Sequence, residues 1–203
     1  MHMLARLLPT ALAVCLLVTA AIAQTTPPTR VRGTIAAIDG PTMTVATREG
    51  PKVDVTLNDP LTVLTVKRVE LASIASGTYV GIASRTGTNG ELRAIEVLVF
   101  PEAMRGSGEG QIPWDLEPGS MMTNGTVTAT VEGTSERELT VLFKGASSKI
   151  VVAPDAALVS FAPAERADLK VGEKVFCSAA KSAEGKLVSS RVTVGKNGVA
   201  PPM

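Results

Sequence analysis

The sequence is short of the residues that most catalytic and metal-binding sites use. Its 203 residues include one histidine, two cysteines, one tryptophan, one tyrosine and four phenylalanines. Two cysteines are too few for a disulfide scaffold. The 20 basic residues are balanced by 19 acidic ones, whereas a nucleic-acid binder needs a basic surface and usually stacking rings. The composition therefore argues against both classes, and we predict no nucleic-acid partner.

The longest apolar stretch lies at the amino terminus, where residues 1–23 have the three parts of a secretion signal. Arg6 supplies a positive n-region, an apolar stretch follows at 7–18, and a small-x-small pattern ends at Ala23. The apolar stretch is too short for a membrane anchor, which takes about 20 residues. We predict cleavage between Ala23 and Gln24, a periplasmic or secreted protein, and no membrane span after signal cleavage.

Cleavage of this signal would remove His2 and Cys15, the only histidine and one of the two cysteines. Catalysis by a Ser-His-Asp or Cys-His arrangement needs an imidazole, so the mature chain cannot perform it. Zinc and copper sites lose their commonest ligand for the same reason. The remaining cysteine, Cys177, aligns with Ile82 of the first half, so we predict a buried, small apolar side chain there. We predict no enzyme and no cofactor.

The mature chain repeats itself. Beyond Gly77 the matching positions are separated by a constant 95 residues. Several matches in the same order indicate a tandem duplication. The matching blocks are 31–35 with 123–127, 43–45 with 139–141, 70–77 with 165–172, and 90–99 with 185–194.

Each half contains five short stretches rich in β-branched residues, separated by turn-forming residues. A longer connection at 58–77 ends in a short helical or 3₁₀ turn before a glycine, and the second half matches it. This order predicts an all-β fold of two tandem five-stranded OB-like barrels with a short helical turn between strands 3 and 4 of each. A pair of open sandwiches would satisfy the same pattern. The predicted strands are 31–39, 42–47, 52–57, 78–85 and 91–99, then 125–131, 138–143, 149–152, 174–179 and 186–194.

The first half carries three motifs at 33–45, 74–80 and 92–97. They read Gly-Thr-Ile-x-x-Ile-Asp-Gly-x-x-Met-Thr-Val, Ile-x-x-Gly-Thr-Tyr-Val and Leu-x-Ala-x-x-Val. They resemble a bacterial family of exported, OB-like barrels that is classed as a domain of unknown function, and the second half fits more loosely. The resemblance implies the fold and, by analogy, binding at the cell envelope. It assigns no activity, because its motifs are structural glycines and core positions.

The predicted domains are therefore a signal peptide at 1–23, a first barrel at 30–100, an inter-domain loop at 101–122, a second barrel at 123–197 and a tail at 198–203. A plain linker needs only Gly, Pro and polar residues, but the loop holds the only tryptophan. We expect it to pack on the barrels. Either Trp114 plugs the groove between the halves, or the loop presents a ligand or partner surface. The residues of that candidate surface are Met104, Arg105, Glu109, Trp114 and Asp115.

A metal site would be the most specific form of that surface. The carboxylates of Glu102, Glu109, Asp115 and Glu117 suit a hard cation such as Ca²⁺. Their spacing matches no calcium loop, so we predict no metal.

These observations predict an exported, non-enzymatic binding or envelope-interaction module whose partner is an unknown envelope protein or a small ligand. One alternative is a purely structural or assembly module whose loop only cements the two barrels. A carboxylate-based hydrolase is a remote alternative, since paired acids can perform general acid–base chemistry.

Overall fold

The computed structural model describes residues 27–133 and 136–201. The predicted signal at 1–23 and its cleavage site lie outside the described residues, so export stays a prediction. The described residues form twelve strands. They are β1 Thr29–Asp39, β2 Thr42–Thr47, β3 Lys52–Arg68, β4 Tyr79–Thr86, β5 Leu92–Val99, β6 Gly110–Pro113, β7 Met121–Glu132, β8 Arg137–Phe143, β9 Ala146–Val152, β10 Ala157–Pro163, β11 Lys174–Lys181 and β12 Leu187–Val194.

Short 3₁₀ turns occupy the two places where the sequence predicts a helical turn, Leu71–Ser73 and Arg166–Asp168. A glycine follows each turn with a left-handed backbone, Gly77 at a φ of 90° and Gly172 at 93°. Glycine adopts this conformation without a Cβ clash. The described residues contain no α-helix, and accordingly no helix in them is long and apolar enough to cross a membrane.

Five strands close into a mixed barrel in the order β1, β2, β3, β12 and β11, with β11 pairing back to β1. Only the contact between β3 and β12 is parallel. Alternate side chains point inward and fill the barrel, as expected for a small closed sheet. The buried side chains at its centre include Ile35, Met43, Val45, Val55, Val175 and Val192.

The other seven strands lie outside this barrel. Five of them, which we call the second strand group, run in the order β5, β4, β7, β8 and β9. They surround a second apolar cluster that includes Ile82 and Leu139. A short parallel contact, in which Leu92 faces Ile150, joins β5 to β9. β10 connects the two groups because it pairs with β3 on one side and β5 on the other. β6 pairs with β7.

The two sequence repeats exchange strands. β1–β3 of the first repeat pair with β11 and β12 of the second, while β4 and β5 of the first join β7–β9 of the second. The all-β class is confirmed and one barrel is closed, but strands from both halves build it. Pairing thus crosses the predicted boundaries at 30–100 and 123–197. The pattern of a single strand cannot reveal this, because duplicated strands offer the same buried face to either partner.

Several strand pairings join or relate equivalent positions of the two repeats. β3 and β10 pair antiparallel so that Val66 faces Phe161, its counterpart 95 residues later. Similarly, Gly33 of β1 faces β11, and its counterpart Gly125 of β7 faces β4. Equivalent positions of the two repeats therefore meet at Val66 and Phe161. A third apolar cluster lies there, formed by Val66, Leu98 and Val159 with Phe100, Phe161 and Val199 against it.

The repeated glycines that open each half are required by close strand packing. A Cβ on Gly33 would collide with the carbonyl oxygen of Ala46, and one on Gly125 would collide with that of Leu142. Only glycine allows the backbones to approach this closely. The shared Gly-Thr pattern is therefore explained by the fold.

Two strands lie where the sequence predicts none. The predicted connection at 58–77 is strand as far as Arg68. Its two faces are both buried in part, because Val63 packs in the closed barrel and Val66, which points to the opposite face, packs in the third apolar cluster. The matching stretch of the second half is β10. Within the predicted loop, the four-residue β6 forms by pairing with β7. Its own sequence is too short to predict a strand, because strand formation depends on the neighbouring strand.

Candidate functional site

The turn between β6 and β7 is a defined structure. Its residues, 114–120, are called the hairpin tip below. The Trp114 N–H donates to the Ser120 carbonyl at 2.8 Å, and the Glu117 N–H donates to the Ser120 hydroxyl at 3.1 Å. Ser120 is buried and is the hydrogen-bond partner of both Trp114 and Glu117 in this turn. The hairpin tip is therefore folded as an extension of β6 and β7.

Two arginines of β1 hold the hairpin tip on the closed barrel. The Arg30 guanidinium lies 3.9 Å from the Trp114 ring centroid and that of Arg32 lies 5.2 Å from it, both within cation–π range. Arg32 Nη1 is 2.8 Å from Asp115 Oδ1, and Arg30 Nη1 is 3.5 Å from the same oxygen. Burial raises the pKa of Asp115, but the hydrogen bond and charge of Arg32, with the charge of Arg30, leave it below its ordinary value.

Two further arginines reach the hairpin tip. Arg48, in the turn between β2 and β3, donates from Nη2 to the carbonyl of Asp115 at 2.8 Å and from Nη1 to that of Leu116 at 2.9 Å. Arg85 of β4 lies 3.2 Å from Glu117. Because Arg85 belongs to the second strand group, the hairpin tip contacts both groups. Trp114 and Asp115 are thus engaged within the protein itself.

Arg105 and Glu109 lie near Tyr79. Arg105 donates to both carboxylate oxygens of Glu102, at 2.6 and 2.7 Å, and its guanidinium is 5.9 Å from the Tyr79 ring. Glu109 accepts a hydrogen bond from the Lys144 N–H at 2.8 Å. Burial raises the pKa of Tyr79, the charge of Glu109 raises it further, and the charge of Arg105 opposes both. These contacts fix the chain between β5 and β6.

The four acids of the predicted loop do not converge on a common point. Among the described residues there is no group of three or more His, Cys, Asp or Glu side chains placed to hold a metal. Each acid instead has a partner of its own: Glu102 with Arg105, Glu109 with the Lys144 N–H, Asp115 with Arg32, and Glu117 with Arg85.

An open cleft of about 490 Å³ lies between the closed barrel and the second strand group, and we call it the aromatic cleft. Its size falls within the range of small-molecule sites. Of the four phenylalanines in the chain, three line it, together with Met104. Its lining residues are Phe100, Met104, Phe161 and Phe176, the polar Thr62, Ser107, Asn124, Ser178, Ser190, Arg191 and Thr193, and Pro60, Gly108 and Cys177.

The aromatic rings of the cleft are packed against other rings. Phe100 lies edge-on between Tyr79, with centroids 5.4 Å apart, and Phe161, at 5.8 Å. The Arg32 guanidinium lies 4.9 Å from the Phe176 ring centroid as well as 5.2 Å from that of Trp114. Edge-on pairs of this kind fix ring orientation. The walls of the cleft are therefore held in place before any ligand binds.

Arg32 and Glu96 are the two charged residues that are buried among those described. Glu96 lies on β5, where it faces Ala157 of β10. Burial raises the pKa of Glu96 to about 8, and the positive charge of Arg32 acts in the opposite direction. A carboxyl with this pKa is largely protonated at neutral pH, so the ionised partner of Arg32 is the carboxylate of Asp115.

Cys177 is buried, as the sequence predicts, with 2% of its surface exposed. Burial raises the pKa of its thiol to about 12, and a hydrogen bond with Ser189 opposes this only in part. The thiolate is therefore scarce at neutral pH, and Cys177 serves as an apolar side chain of the barrel.

The five predicted surface residues occupy three places. Met104 lines the aromatic cleft, Arg105 and Glu109 border Tyr79, and Trp114 and Asp115 lie under the β1 arginines. Sequence reasoning missed the phenylalanines and Arg191, because they come from separate strands with no shared motif. The rarity of aromatic residues in the composition is the one signal that could have directed attention to them.

Scans against protein-family models, curated proteins and solved structures each found no match to this chain.

Proposed function

We propose that this protein is an exported, non-enzymatic binding module whose ligand occupies the aromatic cleft. One observation carries the proposal: three of four phenylalanines, drawn from β10, β11 and the end of β5, meet at one open cleft. Aromatic side chains are enriched at binding surfaces because they offer a large, rigid contact area. The export part rests on the amino-terminal signal pattern.

The proposal includes two OB-like barrels that exchange strands. The second barrel would comprise β4, β5, β7, β8 and β9. A pair of matching contacts supports this. In the closed barrel Leu187 faces Val55, and in the second strand group their counterparts in the other repeat, Leu92 and Ile150, face each other. The aromatic cleft would then lie between two related barrels.

Binding of the fluorescent dye anilinonaphthalene sulfonate tests the proposed site. Dye emission excited by energy transfer from Trp114, the only tryptophan, reports dye that is bound to the protein, and variants of the cleft lining locate it. Phe176→Leu removes one ring from the lining, and we expect the Kd to rise about fivefold, since an aromatic contact contributes about 1 kcal/mol. Phe143→Leu is the matched control, because Phe143 is buried on β8 outside the cleft.

Ser178→Leu provides a second variant that narrows the cleft from an exposed position on β11. It should also lower the affinity for the dye without altering the circular dichroism spectrum. Equal dye affinity in the wild-type protein and in the Phe176, Ser178 and Phe143 variants would exclude the cleft as the site.

A structural role is the second candidate function, and the hairpin tip favours it. Contacts from Arg30, Arg32, Arg48 and Arg85 occupy the ring, carboxylate and carbonyl groups of that segment. In this function Trp114 joins the strand groups and contacts no ligand. The two candidates are compatible, because they use different surfaces.

A further inference from the structure

We infer that the aromatic cleft binds a small amphiphilic anion, with an aromatic or acyl body on the phenylalanines and a single anionic group on Arg191. This inference rests on the proposed function and adds the charge of the ligand. It assigns to Arg191 the role of selecting a carboxylate, sulfonate or phosphate over a neutral compound of the same shape.

The charge of the lining points to an anion. Arg191 is the one charged residue among those that line the cleft, and it makes no ion pair with any described residue. A guanidinium presents a planar set of donors that matches a carboxylate or phosphate. No acidic side chain of the lining competes for it, so an incoming anion would meet an unopposed positive charge.

The position of Arg191 suits a ligand with both an apolar and a charged part. Arg191 faces Thr62 in the register of β12 with β3. It also borders a smaller hollow of about 250 Å³, which shares Ser178 and Ser190 with the cleft and contains no other charged residue. Arg191 therefore lies with Ser178 and Ser190 where the cleft meets this hollow, and an anionic group bound there leaves the aromatic walls to the rest of the ligand.

Another arginine of the same barrel displays the pairing that we infer. Arg32 is neutralised by the carboxylate of Asp115, with the Trp114 ring beside it. Arg191 has aromatic side chains in the same cleft and lacks the carboxylate. A ligand with an apolar body and an acidic group would give Arg191 the two contacts that Arg32 receives from the hairpin tip, an apolar ring and a carboxylate.

Two dyes with the same ring system test the inference. Anilinonaphthalene sulfonate carries one negative charge, and N-phenylnaphthylamine lacks the sulfonate. We expect Arg191→Gln to raise the Kd of the anionic dye about fivefold, as for an exposed ion pair, and to leave that of the neutral dye unchanged. Arg68→Gln is the matched control, an exposed arginine on β3 outside the cleft lining, and it should change neither value.

The salt dependence of wild-type binding gives a second measurement that needs no variant. Affinity for the anionic dye should fall as salt rises, while affinity for the neutral dye should not. Unchanged binding of the anionic dye by Arg191→Gln would overturn the inference, yet the proposed function would stand if Phe176→Leu still weakens both dyes. Failure of both dyes to bind the wild-type protein would overturn the two proposals together.

Discussion

Glu96 shows how one residue can set the pH dependence of the fold. The residue is 9% exposed and lies on a strand that pairs with β4 on one side and β10 on the other. Desolvation disfavours the charged form, which raises the pKa from an ordinary value of 4.5 to about 8 against the opposing charge of Arg32. Between these two values the folded protein holds a proton that the unfolded chain releases.

The free energy of unfolding should therefore fall as the pH rises from about 5 to about 8, because the unfolded state binds fewer protons over that range. Urea denaturation followed by circular dichroism at both pH values measures the change. Glu96→Gln keeps the shape and cannot ionise, so its stability should be nearly constant between them. An equal pH dependence in the wild-type protein and the variant would show that Glu96 does not cause it.

At the scale of an element, the β6–β7 hairpin joins parts of the chain that are distant in sequence. Its strands extend the second strand group through β7, while its tip contacts Arg30 and Arg32 of the closed barrel. The Trp114 ring lies within cation–π range of the Arg30 and Arg32 guanidinium groups. The hairpin tip should therefore contribute to stability even though none of its residues belongs to the three apolar clusters.

Trp114→Ala should lower the free energy of unfolding by about 2 kcal/mol, since it removes the cation–π contacts and the apolar area of the ring. Urea denaturation followed by circular dichroism measures the loss, and Trp114→Phe, which retains a ring, should recover much of it. Affinity for N-phenylnaphthylamine, followed by the dye's own emission, should stay within twofold. Normal stability combined with lost dye binding would instead place the ligand surface at Trp114.

At the scale of the whole molecule, strand exchange makes the two repeats depend on one another. Neither repeat supplies all five strands around either large cluster, and β10 lies hydrogen-bonded between β3 and β5. Opening one group would expose the partner strands of the other. The protein should therefore unfold as a single cooperative unit rather than as two domains in succession.

Matched substitutions in the two clusters test this cooperativity. Met43 and Leu139 are counterparts in the repeats, and both are fully buried, one in each cluster. Met43→Ala and Leu139→Ala should each cost about 3 kcal/mol and shift the same single transition in differential scanning calorimetry. Two separate transitions, each sensitive to one variant alone, would mean that the strand groups unfold independently.

Strand content was predictable in part because it depends on local pattern. Enrichment in β-branched residues located ten of the strands, and turn-forming residues separated them. β6 and β10 escaped prediction, since one is too short to show alternation and the other follows a proline-containing turn at 153–156. The candidate site was only partly predictable: Met104 does line the cleft, but Phe176 and Arg191 reach it through pairing between distant strands.

The sequence by itself determined the all-β class, the repeated pattern of the two halves, the two short turns and the burial of Cys177. Each of these depends on composition or on spacing along one segment. Only the tertiary structure decided which repeat each strand completes, and therefore where the scarce aromatic residues meet. Each strand by itself would fit equally well into a barrel built from one repeat or into a barrel built from strands of both repeats. The choice between them depends on contacts between segments about 95 residues apart, such as Val66 with Phe161.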